Sequence, residues 1–229
     1  MRLAHPEMKS VLRLNENQVT LLAIEKADLF RRLVRTLRHQ SYGQPGDFVL
    51  SRDWTPLPIE KNLVLTSDAF SLNLNERRQV TALQKQTSQL AYSEHMFEKT
   101  AQLFSNLENW MEALLLESPY AVHYDTEIQI ESFLKQLNFR FAGDEGDLPE
   151  SLERFIKVHS AFSGTKVFVF VNLRSLLSLE ELQDFYKSSF YEKARVVMLE
   201  TNLPENRLDC EDWHLIDNDL CELYSEDDS

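Results

Sequence analysis

Val167 to Val171 form an unbroken apolar run of β-branched and aromatic residues, which predicts a buried strand too short to be a helix. Asn172 ends it. Ser178, followed three residues later by Glu181, matches a capping box at the start of a helix from Leu179. "ARVVMLE" (194–200) and "WHLID" (213–217) predict two further buried strands. Near the start, "MRL", "VLRL" and "QVTLLAI" are short apolar segments separated by turn candidates such as "NENQ", and predict strands. "KADLFRRLVRTLRHQ" then carries Leu29, Leu33 and Leu37 four residues apart, an amphipathic helix that ends before "SYGQPG". "DFVLSRDWTPLPIEKNLVLTS" predicts a hairpin-like excursion into a buried strand at Leu63–Thr66. Pro56 and Pro58 belong at an edge or in a loop, because proline donates nothing to a ladder. Strands alternating with helices imply parallel βαβ units and an α/β class.

From Asn75 the pattern changes to a 3–4 spacing that includes Val80, Leu83, Leu90, Phe97, Phe104 and Met111, with no glycine or proline to interrupt it. One continuous helix of about 40 residues would be about 60 Å long. A compact chain of this length has a radius of gyration near 17 Å, or roughly 45 Å across. The helix must therefore break, with Tyr92–Ser93 the favoured place, or project as a stalk. Either outcome sets off a helical module, and the expected division is 1–74, 75–143 and 144–229. "YDTEIQIESFLKQL" has Ile128, Ile130, Phe133, Leu134 and Leu137 as its apolar side. After the turn-rich "AGDEGD", Asp147–Glu150 opens another helix with Pro149 in its first turn.

The chain has 229 residues and a net charge of −13. That charge is unevenly spread: residues 1–100 sum to +3 and residues 101–229 to −16. Residues 200–229 alone carry −10, which suggests a solvated acidic tail and leaves the remainder near balance. An anionic partner is therefore compatible with the low isoelectric point. Apolar runs are far shorter than the roughly 18 residues of a membrane span, and "MRLAHPEMKS" lacks the apolar region of a secretory signal. Two cysteines, Cys210 and Cys221, make no disulfide framework, whether they are incidental thiols or one bridge. The expected compartment is a reducing cytoplasm.

A nucleotide-hydrolysing α/β sheet needs a glycine-rich loop whose backbone N–H groups close around phosphates. The five glycines, 43, 46, 143, 146 and 164, give neither GxxxxGK[ST] nor GxGxxG, and "IEKADLF" leaves no room for a phosphate after the first long strand. No nucleotide cofactor is expected. Six histidines form no HxxxH or HExxH pair, and GxSxG is absent. Nothing favours an enzyme, although a nuclease built on scattered carboxylates and Mg²⁺ needs no local signature.

Two clusters remain. Arg31, Arg35 and Arg38 lie at i, i+4 and i+7 on the amphipathic helix, with Arg32 beside them and His39 after. They make a cationic stripe opposite the leucines, and Arg77 and Arg78 add charge where the helical module begins. Phosphate contacts require charge and reach but no base edge, so the set suits a nucleic-acid backbone; solvation or salt bridges explain single members equally well. The second cluster is Asp125, Glu127 and Glu131. Neighbouring hard oxygen ligands suit Ca²⁺, and the preference for acids at helix N-termini explains them as readily.

The order of strands, helical insert, "KVFVFVN", "LSLEELQDFY", "ARVVMLE" and "EDWHLID" resembles the accessory spacer-acquisition protein of type II-A CRISPR–Cas systems. "YDTEIQIESFLKQLNFRF" is similar to the segment that follows the helical leg in that family. The resemblance implies a P-loop-ATPase-like head without a phosphate loop, and an inserted α-helical leg. It also implies homotetrameric rings that bind free ends of double-stranded DNA, with structural Ca²⁺ for which Asp125 and Glu127 are the metal candidates. The implied partners are the adaptation integrase and the effector nuclease. The expected function is thus non-catalytic binding of double-stranded DNA ends in spacer acquisition, with Arg31, Arg32, Arg35, Arg38, Arg77 and Arg78 as the DNA-binding set. The alternatives are a protein-binding scaffold without DNA contact and a metal-dependent nuclease.

Overall fold

The computed structural model describes residues 1–125, 129–143 and 146–225. In chain order it begins with β1 (Arg2–Ala4), β2 (Leu12–Arg13), β3 (Val19–Ile24), α1 (Ala27–Ser41), β4 (Val49–Arg52), β5 (Thr55–Leu57), α2 (Ile59–Asn62) and β6 (Leu63–Thr66). The helices α3 (Arg77–Ala91), α4 (Glu94–Glu117) and α5 (Ile130–Gln136) follow. After them come α6 (Leu148–Val158), β7 (Val167–Val171), α7 (Leu179–Tyr191), β8 (Arg195–Glu200), β9 (Glu211–Ile216) and β10 (Glu222–Tyr224). The chain divides into two compact units, Met1–Leu74 with Asp144–Ser229, and Asn75–Gly143.

The first unit is α/β and holds two sheets. The smaller is antiparallel, in the order β2-β1-β4-β5, with Pro56 on its outer strand, where a missing N–H does no harm. The larger runs β10-β9-β3-β8-β7-β6 and is parallel except for β10. Central strands buried on both faces should be apolar throughout. VFVF in β7 meets that demand, and all six residues of β3 are buried, its one polar member, Thr20, donating to the Arg13 carbonyl at 3.1 Å. Leu29, Leu33 and Leu37 of α1 join Leu65, Val169 and Leu199 in the hydrophobic core. Both expected caps form: Asp147 accepts from the Glu150 amide at 3.1 Å, and Ser178 and Glu181 make the reciprocal pair of a capping box.

One expectation needs correction. The acidic stretch from 200 is not simply a solvated end, since β9 and β10 bring residues 211–216 and 222–224 into the larger sheet. The carboxylate of Glu222 accepts from the amides of Lys9 and Ser10 at 2.5 and 2.8 Å, so some of that charge is structural. Cys210 and Cys221 are free thiols.

The second unit is helical. The 75–117 pattern breaks where expected: Tyr92 ends α3 and Ser93, in extended backbone, opens α4. Serine favours this helix-start position. Leu90 in α3 and Phe97 in α4 are both 59% exposed despite their place in the apolar series. Gln79, Gln84 and Ser88 are buried on α3 instead. Gln84 donates to the Phe139 carbonyl at 3.1 Å, and the Asn75 side chain pairs both ways with the Phe141 backbone. These bonds satisfy the Gln84 and Asn75 side chains, as buried polar groups require.

Candidate nucleic-acid interface

Between the end of β3 at Ile24 and the first residue of α1 at Ala27 stand only Glu25 and Lys26. A phosphate loop occupies this place in a P-loop ATPase, and two residues are too few to wrap an anion. The far ends of β7 and β8 are also committed to structure. Arg174 pairs with Glu211, with side chains 8% and 0% exposed, and its guanidinium also reaches the Asn206 carbonyl. The amide of Arg174 donates to Glu200 at 3.1 Å, and Tyr186 donates to Glu211 at 2.8 Å. Burial pushes the Glu200 carboxyl above its ordinary range, against the opposing pull of the Arg174 contacts. The network thus runs from the ends of β7 and β8 to Glu211 at the start of β9.

The α1 helix presents a different surface. Leu29, Phe30, Leu33 and Leu37 are its buried residues, which leaves Arg31, Arg35 and Arg38 exposed. Asp28 in the first turn and Arg38 and His39 in the last suit the helix dipole. The exposed edge borders a groove of about 340 Å³ lined by the apolar Phe30 and Val34. Arg31, Arg35, Arg38, His39 and Tyr42 supply its charge and its aromatic ring. Among the described residues none of these three arginines forms an ion pair, so their charge faces solvent uncompensated.

Arg32 is different. Its guanidinium bonds Glu7 at 2.7 Å and Asp28 at 2.8 Å. Hydrogen bonding to Arg32 holds both carboxyls below their ordinary range, and the same contacts keep Arg32 firmly protonated. The structure thus brings Arg31, Arg35 and Arg38 into one groove and ties Arg32 to the body of the unit. Arg77 and Arg78 lie exposed in the first turn of α3, in the other unit. There they add to the positive end of the helix dipole. Tyr42 was missed in the sequence, and its only signal was its place just after the cationic stripe.

Asp125 is exposed, Glu131 is exposed in the first turn of α5, and Glu127 lies outside the described residues. No group of three or more potential metal ligands occurs among the described residues. Neither Asp125 nor Glu131 belongs to such a group among the described residues.

A family model described as CRISPR-associated protein (Cas_Csn2) matches residues 40–220. The chain belongs to the Cas_Csn2 family. This makes it a CRISPR-associated accessory protein and assigns its work to CRISPR adaptation. Among solved structures, the crystal structure of Stu0660 of Streptococcus thermophilus superposes with a TM-score of 0.60 at 13% identity, over 94% of this chain and 74% of that one. At such identity the likeness concerns the fold alone. A putative ABC transporter (ATP-binding protein) from Pyrococcus furiosus gives a TM-score of 0.40 at 9% identity, over 93% of this chain and 97% of that one. That superposition is too loose to carry an inference. No curated protein matches the sequence. No helix among the described residues of this Cas_Csn2 protein is long and apolar enough to cross a membrane.

Proposed function

We propose that this Cas_Csn2 protein binds the ends of double-stranded DNA as a homo-oligomeric ring during spacer acquisition, without catalysing a reaction. The observation that carries the proposal is the α1 groove, where Arg31, Arg35 and Arg38 stand exposed and uncompensated beside His39 and Tyr42. Guanidinium groups on one helical face contact successive phosphates without reading bases, which suits a partner of arbitrary sequence. Three arginines per subunit give modest affinity, and a ring multiplies them into a concentrated potential around one duplex. Self-association has support in α4, where Met96, Leu103, Trp110 and Leu114 share one side of the helix, stay about half exposed and offer an apolar face for a second copy to cover. No step of this function passes through a nucleotide or a metal.

The same face of α4 favours one rival, a scaffold that docks other adaptation proteins and makes no DNA contact. Charge reversal separates the two. Arg31→Glu, Arg35→Glu and Arg38→Glu together should abolish duplex binding while the protein stays folded. The wild type should lose affinity steeply with salt, as expected when several phosphates are neutralised. Unchanged affinity in the triple variant would leave the scaffold standing.

A further inference from the structure

At the tip of the β4–β5 hairpin, Trp54 is 81% exposed and adopts φ +66, next to Asp53 at φ +48. Hairpin tips of this kind favour Asn-Gly or Asp-Gly, and a bulky aromatic residue in the left-handed region is a backbone outlier. An exposed tryptophan held at such a position asks for a reason other than folding. Its neighbours supply one. The guanidinium of Arg2 lies 4.0 Å from the centre of the Trp54 ring. Arg2 pairs in register with Arg13 across β1 and β2, so the two arginines share one face of the small sheet. Both line a cavity of about 410 Å³, with Trp54 on the same side and His214 and Tyr224 of the larger sheet contributing too. The His214 ring packs 6.1 Å from that of Tyr224, and its Nδ1 is buried without a hydrogen-bond partner among the described residues.

We infer that this cavity is a binding site for a single unpaired nucleotide, with the base stacked on the aromatic wall and the phosphate held by Arg2 and Arg13. The lining combines aromatic rings with two guanidinium groups, which is the chemistry of a planar ring carrying an anion. Stacking on aromatic side chains tolerates any base, because every base has a π face. Asp212, hydrogen-bonded to Ser225 at 2.5 Å and 3.6 Å from His214 Nε2, also lines the cavity and feels the charge of Arg13. A phosphate would share that guanidinium with it, while Arg2 makes no such carboxylate contact among the described residues. The residues involved are separate from the α1 groove, so the site stands whether or not that groove binds duplex. If both hold, the protein grips a duplex at one surface and an unpaired terminal nucleotide at another.

The test uses the full chain with thymidine 5′-monophosphate and a short oligothymidylate as probes. The indole N–H signals of the three tryptophans are followed by NMR and assigned by a Trp54→Phe variant. Thymidine without phosphate and inorganic phosphate without base are the control ligands. The nucleotide should shift the Trp54 signal and bind more tightly than either fragment. Trp54→Ala should weaken oligonucleotide binding about tenfold, and Trp54→Phe should restore most of it. Trp54→Ala should leave duplex binding intact, while the α1 triple reversal should leave nucleotide binding intact. No perturbation of Trp54 at millimolar nucleotide, equal affinity in wild type and Trp54→Ala, or a response to acidic peptides in place of nucleotides would each overturn the inference.

Discussion

The Tyr186 hydroxyl donates to Glu211 Oε1 at 2.8 Å, so a fully buried carboxylate on β9 is held by a phenol on α7. Burial and the Glu211 charge both keep that phenol protonated, far above its ordinary range. Arg174 completes the arrangement from the turn after β7. Removing one partner leaves the other buried and unpaired, which costs more than the pair contributes. Glu211→Ala should therefore lower stability by about 3–5 kcal/mol. Tyr186→Phe, which deletes one bond to a charged acceptor, should cost about 1.5–3 kcal/mol. Urea unfolding measures both, and a neutral Glu211→Ala would show that the network is not structural.

Arg32 and Arg35 sit on the same helix three residues apart and should behave differently. Arg32 is already engaged by Glu7 and Asp28, while Arg35 faces the groove. Arg35→Ala should weaken duplex binding and lower the salt slope by about one unit. Arg32→Ala should change both less. Fluorescence anisotropy across a salt series distinguishes them, and equal effects would mean that the groove is not the contact surface.

The Thr100 hydroxyl on α4 donates to the carbonyl of Ala91 at 2.8 Å, where α3 ends. Carbonyls in the last turn of a helix lack intrahelical partners, so this bond helps hold the break at Tyr92–Ser93. Thr100→Val should destabilise the helical unit by about 0.5–1.5 kcal/mol. Hydrogen exchange at the amides of Tyr92 and Ser93 should accelerate in that variant, and unchanged exchange would contradict the role.

Asp212 and Glu200 set opposite pH dependences. Hydrogen bonding to His214, then to Ser225, holds the Asp212 carboxyl below its ordinary range despite its partial burial. Its folded form binds protons less readily than its unfolded form, so its contribution is present above about pH 4 and lost as pH falls through the lowered value. Glu200 is raised by burial, so its contribution is present below its unfolded value near pH 4 and lost as pH rises through the elevated one. Asp212→Asn should flatten the acid limb of a stability–pH curve, and Glu200→Gln should remove part of the decline above pH 4. The reverse pattern would contradict both environments.

Much of the fold was legible because single elements carried strong local signals. VFVFV could only be a buried strand, Ser178 and Glu181 fixed a helix start, and the uninterrupted 75–117 pattern was too long for a globule. The missing phosphate loop followed from five glycines in the wrong places. Features created by tertiary contact were not legible. The pairing of Glu222 with the Lys9 and Ser10 amides joins segments more than two hundred residues apart, so the acidic stretch read as a tail. Asp28, four residues before Arg32, was a local partner legible on the helix, whereas the second contact, Glu7, arrives from outside it. Trp54, Arg13 and His214 meet across two sheets and share no spacing in the sequence.

The central claim is encirclement of duplex ends, and competition between linear and covalently closed circular forms of one plasmid measures it most directly. With nicks and breaks removed, linear DNA should displace a labelled duplex from the protein at low salt, and closed circles should compete poorly until a restriction enzyme opens them. Equal competition by intact circles would contradict threading and leave α1 as an ordinary surface for phosphates.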